Sequence, residues 1–518
     1  MRNFALEGAS VLRLNFFDCW RNGRVPTAFW WSLWLLFGLH LLLGAALGLS
    51  VDEAHYALYA AHPALSYFDH PPMVGWIQWP LVALDAPTPV LRAVPGLLWL
   101  LTVLMIYRLG EQIGLRAGAP DARQVGWWAV LAVLPAPLMH ILAIGLLPDT
   151  LLMLWSVAMM DLTLRLMDAQ TLRKPEPWLV LGVLLGVAGL SKYTAIFSAC
   201  AVALCLFSAH GPRLLRQPWL WLALLVAAVL VSPVLIWNAQ NNWVSFVYQA
   251  HHGAGSVWRA SNVARFLVLQ LLTYGPLLCL GLFAVGKVSP TDRWLFAFFA
   301  LPFAVLAFMA GGGSSLPHWT APAWVALAPL SGLALSQVQT QWPLRALMAV
   351  QVAACLALAL LMVSGGMPFL EGRVASAESS DPPNPFADLL GWDAAGARAK
   401  QLAQAQGIDA VAVQNWTLAS RIGWYARPLK VFVLEDRFDQ FDLWAGKLKP
   451  GGRVLLVDWS QQSYQTPLGV HGFTRCEALD HLNVQRFGYD VSFFDFYVCD
   501  GWSGLPQPVL KGPAASAP

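Results

Sequence analysis

Apolar residues gather along this chain in long blocks rather than at alternate positions or on one helical stripe. The blocks run over 27–50, 91–107, 125–146, 150–166, 177–190, 193–209, 218–237, 263–285, 294–310, 320–338 and 344–364. A helix needs about 20 apolar residues to cross a hydrocarbon core of roughly 30 Å, so the pattern predicts about 11 transmembrane helices. The pair 177–190 and 193–209 is short for this, because 14 residues at about 1.5 Å each fall short of the core thickness. A hairpin entering from the cytoplasmic side is expected there, with GLSKYT at its tip and Lys192 at the apex.

Beyond 364 the pattern changes. DAVAVQ, KVFVLE and GRVLLVD are short β-rich runs, and TLASRIGWYA between the first two has helical spacing. SAESSDPPNP reads as a linker. The expected architecture is a polytopic α-helical membrane protein with a C-terminal α/β domain, divided into residues 1–364 and 365–518.

Composition agrees with that division. The 518 residues are 57% hydrophobic and only 12% charged, which excludes an ordinary soluble enzyme. Val25 to Ser364 holds 26 charged residues in 340, whereas Gly365 to Pro518 holds 29 in 154. The 26 Trp cluster at block ends, as at Trp30, Trp31, Trp127, Trp128, Trp219 and Trp221, where interfacial belts form.

Charge also sets the orientation. An odd number of spans puts the two ends on opposite sides. Fifteen Lys and Arg, including Arg2, Arg13, Arg21 and Arg24 of the leader, fall on the amino-terminal side, against Arg92, Lys192, Arg259 and Arg265 on the other. The positive-inside rule therefore places the amino terminus in the cytoplasm and the tail outside.

The outer face is acidic and rich in histidine: Asp52, Glu53, Asp69, Asp85 and Asp149, with His55, His62, His70, His251, His252 and His318. Asp149, just before the fourth block, suits a helix cap as well as a functional site. Asp52 and Glu53 open a loop of about 40 residues, far beyond the lengths that merely connect elements. Lys192 needs a partner, water or an anion, because a lysine inside an apolar hairpin is costly. Asp161 and Arg165 lie four apart and are expected to pair on one helix face.

Four segments, DEAHYALYAAHPALSYFDHPPMVGW, LLPDTLLM, GLSKYTAIF and PHWTAPAWVAL, occur in this order. Together they resemble the bacterial branch of the protein O-mannosyltransferase-like (PMT-type) family, which includes the lipid A aminoarabinose transferase. The resemblance runs from about Val25 to Trp324, and the tail segments GWDAAGARAK, SRIGWYARP and FDLWAG share it. It implies a GT-C fold in a bacterial inner membrane and a periplasm-facing active site. The implied donor is a sugar on polyprenyl phosphate, and the implied acceptor is lipid A, lipopolysaccharide core, another glycan or a protein.

On that resemblance Asp52 is the general base and Asp149 positions the acceptor or holds a metal, with Glu53 beside Asp52 in the catalytic set. Lys192, Arg259, His70 and His318 are the candidates for binding the donor phosphate. The position of His70 is usually lysine in the aminoarabinose transferase, a departure that bears on how the phosphate is held. Direct displacement would invert the anomeric carbon.

Asp69, His251 and His252 are the candidate ligands for a divalent metal, zinc, manganese or magnesium. No nucleotide or flavin is expected, since GGGSS after Ala310 lacks the strand and helix context of a phosphate-binding loop, and no nucleic-acid partner is expected either. Cys476 and Cys499, in the outer domain, can pair; Cys200, Cys205, Cys279 and Cys355 fall within spans and Cys19 on the cytoplasmic side. Two other readings stand beside the transferase: a polytopic lipid or solute transporter, and a catalytically inactive lipid-binding subunit. The charges cluster at one surface rather than at mid-membrane, and no internal repeat is visible, which disfavours the transporter.

Overall fold

The structure is a computed structural model that describes residues 27–254, 257–313, 315–370, 384–462 and 472–505. The basic leader with Cys19, and most of the SAESSDPPNP segment, lie outside the described residues.

Every apolar block is helical. In chain order the main helices are α1 (Thr27–Ala45), α2 (Val51–Ala61), α3 (Ala93–Arg116), α4 (Ala122–Val133), α5 (Pro137–Ile144), α6 (Pro148–Leu166), α7 (Pro175–Ser191) and α8 (Ala195–His210). They continue as α9 (Pro218–Gln240), α10 (Val244–Ala254), α11 (Ala260–Tyr274), α12 (Ala297–Ala310), α13 (Ala321–Ser336) and α14 (Trp342–Ser364). Among the described residues five helices are long and apolar enough to cross a membrane, or seven if each bent pair counts as one span.

The bends have local causes. α4 and α5 meet at 80° across Leu134–Ala136, where Pro135 and Pro137 remove backbone donors. α11 and the helical segment 276–287 meet at 106° at Gly275, whose φ of +81° suits glycine, followed by Pro276. The expected short hairpin is corrected in one arm. α8 and the turn after it reach Arg216 as 22 continuous residues, long enough to cross. Lys192 does sit at the turn, as the C-cap of α7.

α13 is buried along almost its whole length and forms the axis around which α3, α4 and α6 pack. Gly332 permits this: a Cβ there would come within 2.3 Å of the Val125 carbonyl oxygen of α4.

The tail contains α15 (Trp392–Gln406), α16 (Trp416–Tyr425) and a five-stranded sheet of order β2-β1-β3-β5-β4. β1 (Ala410–Val413) pairs in parallel with β2 (Lys430–Val433) and β3 (Val454–Trp459), and the antiparallel hairpin of β4 (Phe473–Arg486) and β5 (Tyr489–Trp502) completes the sheet. Cys476 and Cys499 face each other across that hairpin and are bonded.

The tail is not a loose appendage. One hydrophobic core combines Leu47, Leu49, Ala54 and Leu58 around α2 with Trp392, Leu418, Ile422 and Phe441 of the tail. The backbone N–H of Gly48 donates to the carbonyl of Leu389 at 2.8 Å, and that of Leu49 to the hydroxyl of Tyr425 at 2.9 Å. α2 is thus held between the helical bundle and α16.

Candidate active site

α2 begins where Ser50 and Glu53 form a reciprocal capping box, which fixes the first turn and sets the direction of Asp52. Glu53 is fully engaged: Arg92 donates to its two oxygens at 2.8 and 2.9 Å, and the Ser50 N–H donates at 3.0 Å. Arg92 also binds the carbonyls of Gly44, Leu47 and Gly48 at the end of α1. Glu53, expected beside Asp52 in the catalytic set, is placed in this ion pair, where its carboxylate ties α1, α2 and Arg92 together.

Asp52 is different. It makes no hydrogen bond or ion pair within the described residues. Burial pushes its carboxyl up to about 6; the nearby His55 opposes that rise, while Asp69 and Asp388 add to it. A carboxyl of that kind is poised to take a proton near neutral pH.

Asp149 and Lys192 form the second part. Nζ of Lys192 donates to both oxygens of Asp149 at 2.7 Å, and both side chains are buried. Asp149 makes no helix cap: its oxygens are turned to the ammonium. His318 Nε2 lies 3.8 Å from the same carboxylate, and the Lys192 ammonium stands 5.4 Å from the centre of the Trp319 ring. Burial lowers both His318 and His70 to about 4, so each is a neutral imidazole at pH 7 that offers hydrogen bonds rather than charge. His70 lies within electrostatic reach of Lys192, Asp149 and Asp69, and its buried Nδ1 has no hydrogen-bond partner.

Asp69 closes the cluster. Tyr59 donates its hydroxyl to Asp69, and Nε2 of His55 lies 3.6 Å from the same carboxylate. Burial would raise this acid, but His55, His70 and the Tyr59 hydroxyl outweigh burial and hold it below the ordinary carboxylate range. On its other side His55 reaches into the tail. Ser420 donates to the Trp416 carbonyl, so its oxygen is free to accept from Nδ1 of His55 at 3.0 Å.

Residues 69–237 match the dolichyl-phosphate-mannose-protein mannosyltransferase family. RgtD from Rhizobium johnstonii, a lipid A galacturonosyltransferase, is 23% identical over 291 residues, which is 53% of this chain and 58% of that protein, so the match spans less than two thirds of that relative. The crystal structure of ArnT from Cupriavidus metallidurans in the apo state superposes with a TM-score of 0.58 at 15% identity, covering 93% of this chain and 99% of that one. The same protein bound to undecaprenyl phosphate superposes with a TM-score of 0.59 at 16% identity, covering 91% and 98%. The sequence likeness to that family thus covers residues 69–237, and the chain shares the fold of the ArnT structures over about nine-tenths of its length.

The structure brings Asp52, Asp69, His70, Asp149, Lys192 and His318 into one neighbourhood. It does not bring in Arg259, an exposed residue whose backbone joins Gly311 at 2.8 Å. The expected metal ligands are not brought together among the described residues. Among the described residues no group of three or more His, Cys, Asp or Glu can hold a metal ion; Asp69 is engaged by Tyr59 and His55, and His251 is exposed. The side chain of His252 lies outside the described residues. Asp161 pairs with Arg165 as expected and also approaches Arg108 at 3.5 Å.

Sequence reasoning missed the tail. Gln440 accepts from the Phe68 N–H at 2.8 Å, and Ser420 and Trp416 contact His55; nothing local in those segments marks them. The Asp149–Lys192 pair did have a signal, since a buried lysine demands an anion.

Proposed function

We propose that this protein is an inner-membrane glycosyltransferase. It moves a sugar from a polyprenyl phosphate to a hydroxyl or phosphate of a glycolipid, glycan or protein acceptor on the periplasmic face. The observation that carries the proposal is the Asp52 carboxyl, unpaired within the described residues and raised to about 6, in one neighbourhood with the buried Asp149–Lys192 pair. Orientation follows the loop charges, with eleven spans over residues 1–364, a cytoplasmic amino terminus, and a periplasmic tail over 365–518.

In the reaction Asp52 takes the proton of the acceptor hydroxyl as its oxygen attacks the anomeric carbon. The bond from that carbon to the phosphate oxygen breaks, and its electron pair leaves with the polyprenyl phosphate. Lys192 exchanges Asp149 for the phosphate and stabilises the charge that develops on the leaving group, while His70 and His318 donate neutral hydrogen bonds. Asp149 holds the ammonium in place before the donor arrives. A single displacement inverts the anomeric centre. The ArnT complex with undecaprenyl phosphate and the lipid A relative support a polyprenyl donor and a glycolipid acceptor.

The test is transfer from radiolabelled polyprenyl phosphate sugars to isolated outer-membrane glycolipids, with wild type and Asp52→Asn in parallel, both shown folded. Transfer by wild type that collapses in the variant supports the reading. Retained anomeric configuration in the product would sink the single displacement.

A further inference from the structure

Arg437 lies in the tail just before the segment that grips the first loop, and it is exposed. Its Nη2 donates to the hydroxyl of Tyr248 on α10 at 3.1 Å. The guanidinium carbon stands 5.6 Å from the centre of the Tyr248 ring and 5.7 Å from that of Trp416. Among the described residues no carboxylate lies within ion-pair distance of it; Glu435 feels its charge electrostatically and accepts from the Trp416 N–H at 3.4 Å.

Both aromatic neighbours belong to the wall of the site. Trp416 packs against His55 at 5.4 Å, and His55 faces Asp69. Tyr248 packs against Phe68 at 4.6 Å, next to Asp69 in the chain, and is close enough to Asp52 and Asp69 to feel both carboxylates. A guanidinium with no carboxylate partner among the described residues therefore stands between two rings, one from the bundle and one from the tail, that border the residues around Asp52 and Asp69.

Rings of this kind pack on the apolar faces of sugars, and a planar guanidinium matches a phosphate or carboxylate with paired hydrogen bonds. We infer that Arg437, backed by Tyr248 and Trp416, binds an anionic group on the sugar headgroup of the acceptor. The inference rests on the transferase reading above and narrows it: the acceptor carries a phosphate or carboxylate close to the sugar that is modified. Arg437 selects the acceptor and takes no part in the transfer step. An anion on the donor is the competing source, but the donor phosphate belongs to Lys192, at the bundle end of the site.

The experiment reads binding without turnover, so that its result is independent of whether transfer is observed. Wild type, Arg437→Ala and Arg437→Lys in nanodiscs are titrated with bis-phosphorylated lipid A, with the same lipid A after phosphatase treatment, and with undecaprenyl phosphate. The expected result is about a tenfold loss of affinity for phosphorylated lipid A in Arg437→Ala, a smaller loss in Arg437→Lys, and no change for the other two ligands. Equal loss for both forms of lipid A, a loss for undecaprenyl phosphate, or no loss at all would overturn it. Matching thermal melts exclude misfolding, since the side chain is exposed. If binding behaves as expected and no sugar is ever transferred, the glycosyltransferase reading fails while the anion site stands.

Discussion

Asp52 and Asp149 differ in what neutralises them, and that difference is measurable. Asp52 has no cation in contact, so burial raises it from 3.8 to about 6. Acting as a base, it works only when ionised: kcat/KM should fall about tenfold per pH unit below pH 6. Its effect on stability has the opposite sense. Between pH 4 and 6 the folded protein keeps a proton that the unfolded chain has released, so Asp52 destabilises the fold as pH rises through that window and above it. Asp52→Asn should therefore be inactive yet more stable at pH 7.5 by about 1–2 kcal/mol, the full shift being reduced by the water that reaches this partly buried group. Thermal unfolding in detergent at pH 4 and pH 7.5 checks this, and the gain should vanish at the lower pH. Asp149 is instead tied to Lys192 in a buried pair. Asp149→Asn leaves an ammonium without its counter-charge and should cost about 3–5 kcal/mol. The double variant Asp149→Asn with Lys192→Met removes that charge and should regain much of the stability without regaining transfer. If the double variant is no more stable than the single one, the pair is not what holds these helices in register.

At the scale of elements, α2 shows what a sequence reveals and what it hides. Its start was legible, since Ser50 followed by Glu53 is a capping signature. Its role was half legible: the DE pair marks a site, but only the fold separates a carboxylate locked by Arg92 from one left free. Glu53→Gln turns an NH2 group toward the Arg92 guanidinium and removes its counter-charge, so it should lower stability by about 3–5 kcal/mol, while the protein that stays folded should retain transfer within a few-fold. Arg92→Ala leaves Glu53 buried without its cation and frees the carbonyls of Gly44, Leu47 and Gly48 around the end of α1, so it should lower stability by about 3–5 kcal/mol. Melting temperature and transfer rate measured on the same two preparations check both expectations. Apolar blocks located the helices because length and hydropathy are local properties. The sharp bends at Pro135 and Gly275 are also local, yet a block average conceals them. In the tail, β1, β2 and β3 were legible as β-rich runs, whereas the 473–502 hairpin was not. Its signal is the Phe487–Gly488 turn, with φ of +53° and +85°. β4 alternates poorly because much of its length is exposed.

For the whole molecule, charge and covalent chemistry both bear on which side the tail occupies. In the proposed topology the loop arginines and lysines place the amino-terminal side in the cytoplasm, and an odd number of crossings carries the tail across. The bonded Cys476–Cys499 pair fits that assignment, because such bonds persist in the periplasm and are reduced in the cytoplasm. The tail must also share a compartment with α2, since both contribute to one core and the Ser420–His55 contact joins them. Orientation of the tail is therefore orientation of the site. The chain has seven cysteines, of which Cys200, Cys205, Cys279 and Cys355 are free in the structure. If cells are lysed directly into denaturant with a maleimide of high mass, the protein should take up five labels without prior reduction and seven with it. Seven labels without reduction, in cells whose periplasmic oxidation is intact, would put the tail in the cytoplasm. Asp52, Lys192 and Arg437 would then face the same compartment, and the acceptor would have to be sought among cytoplasmic glycolipids instead.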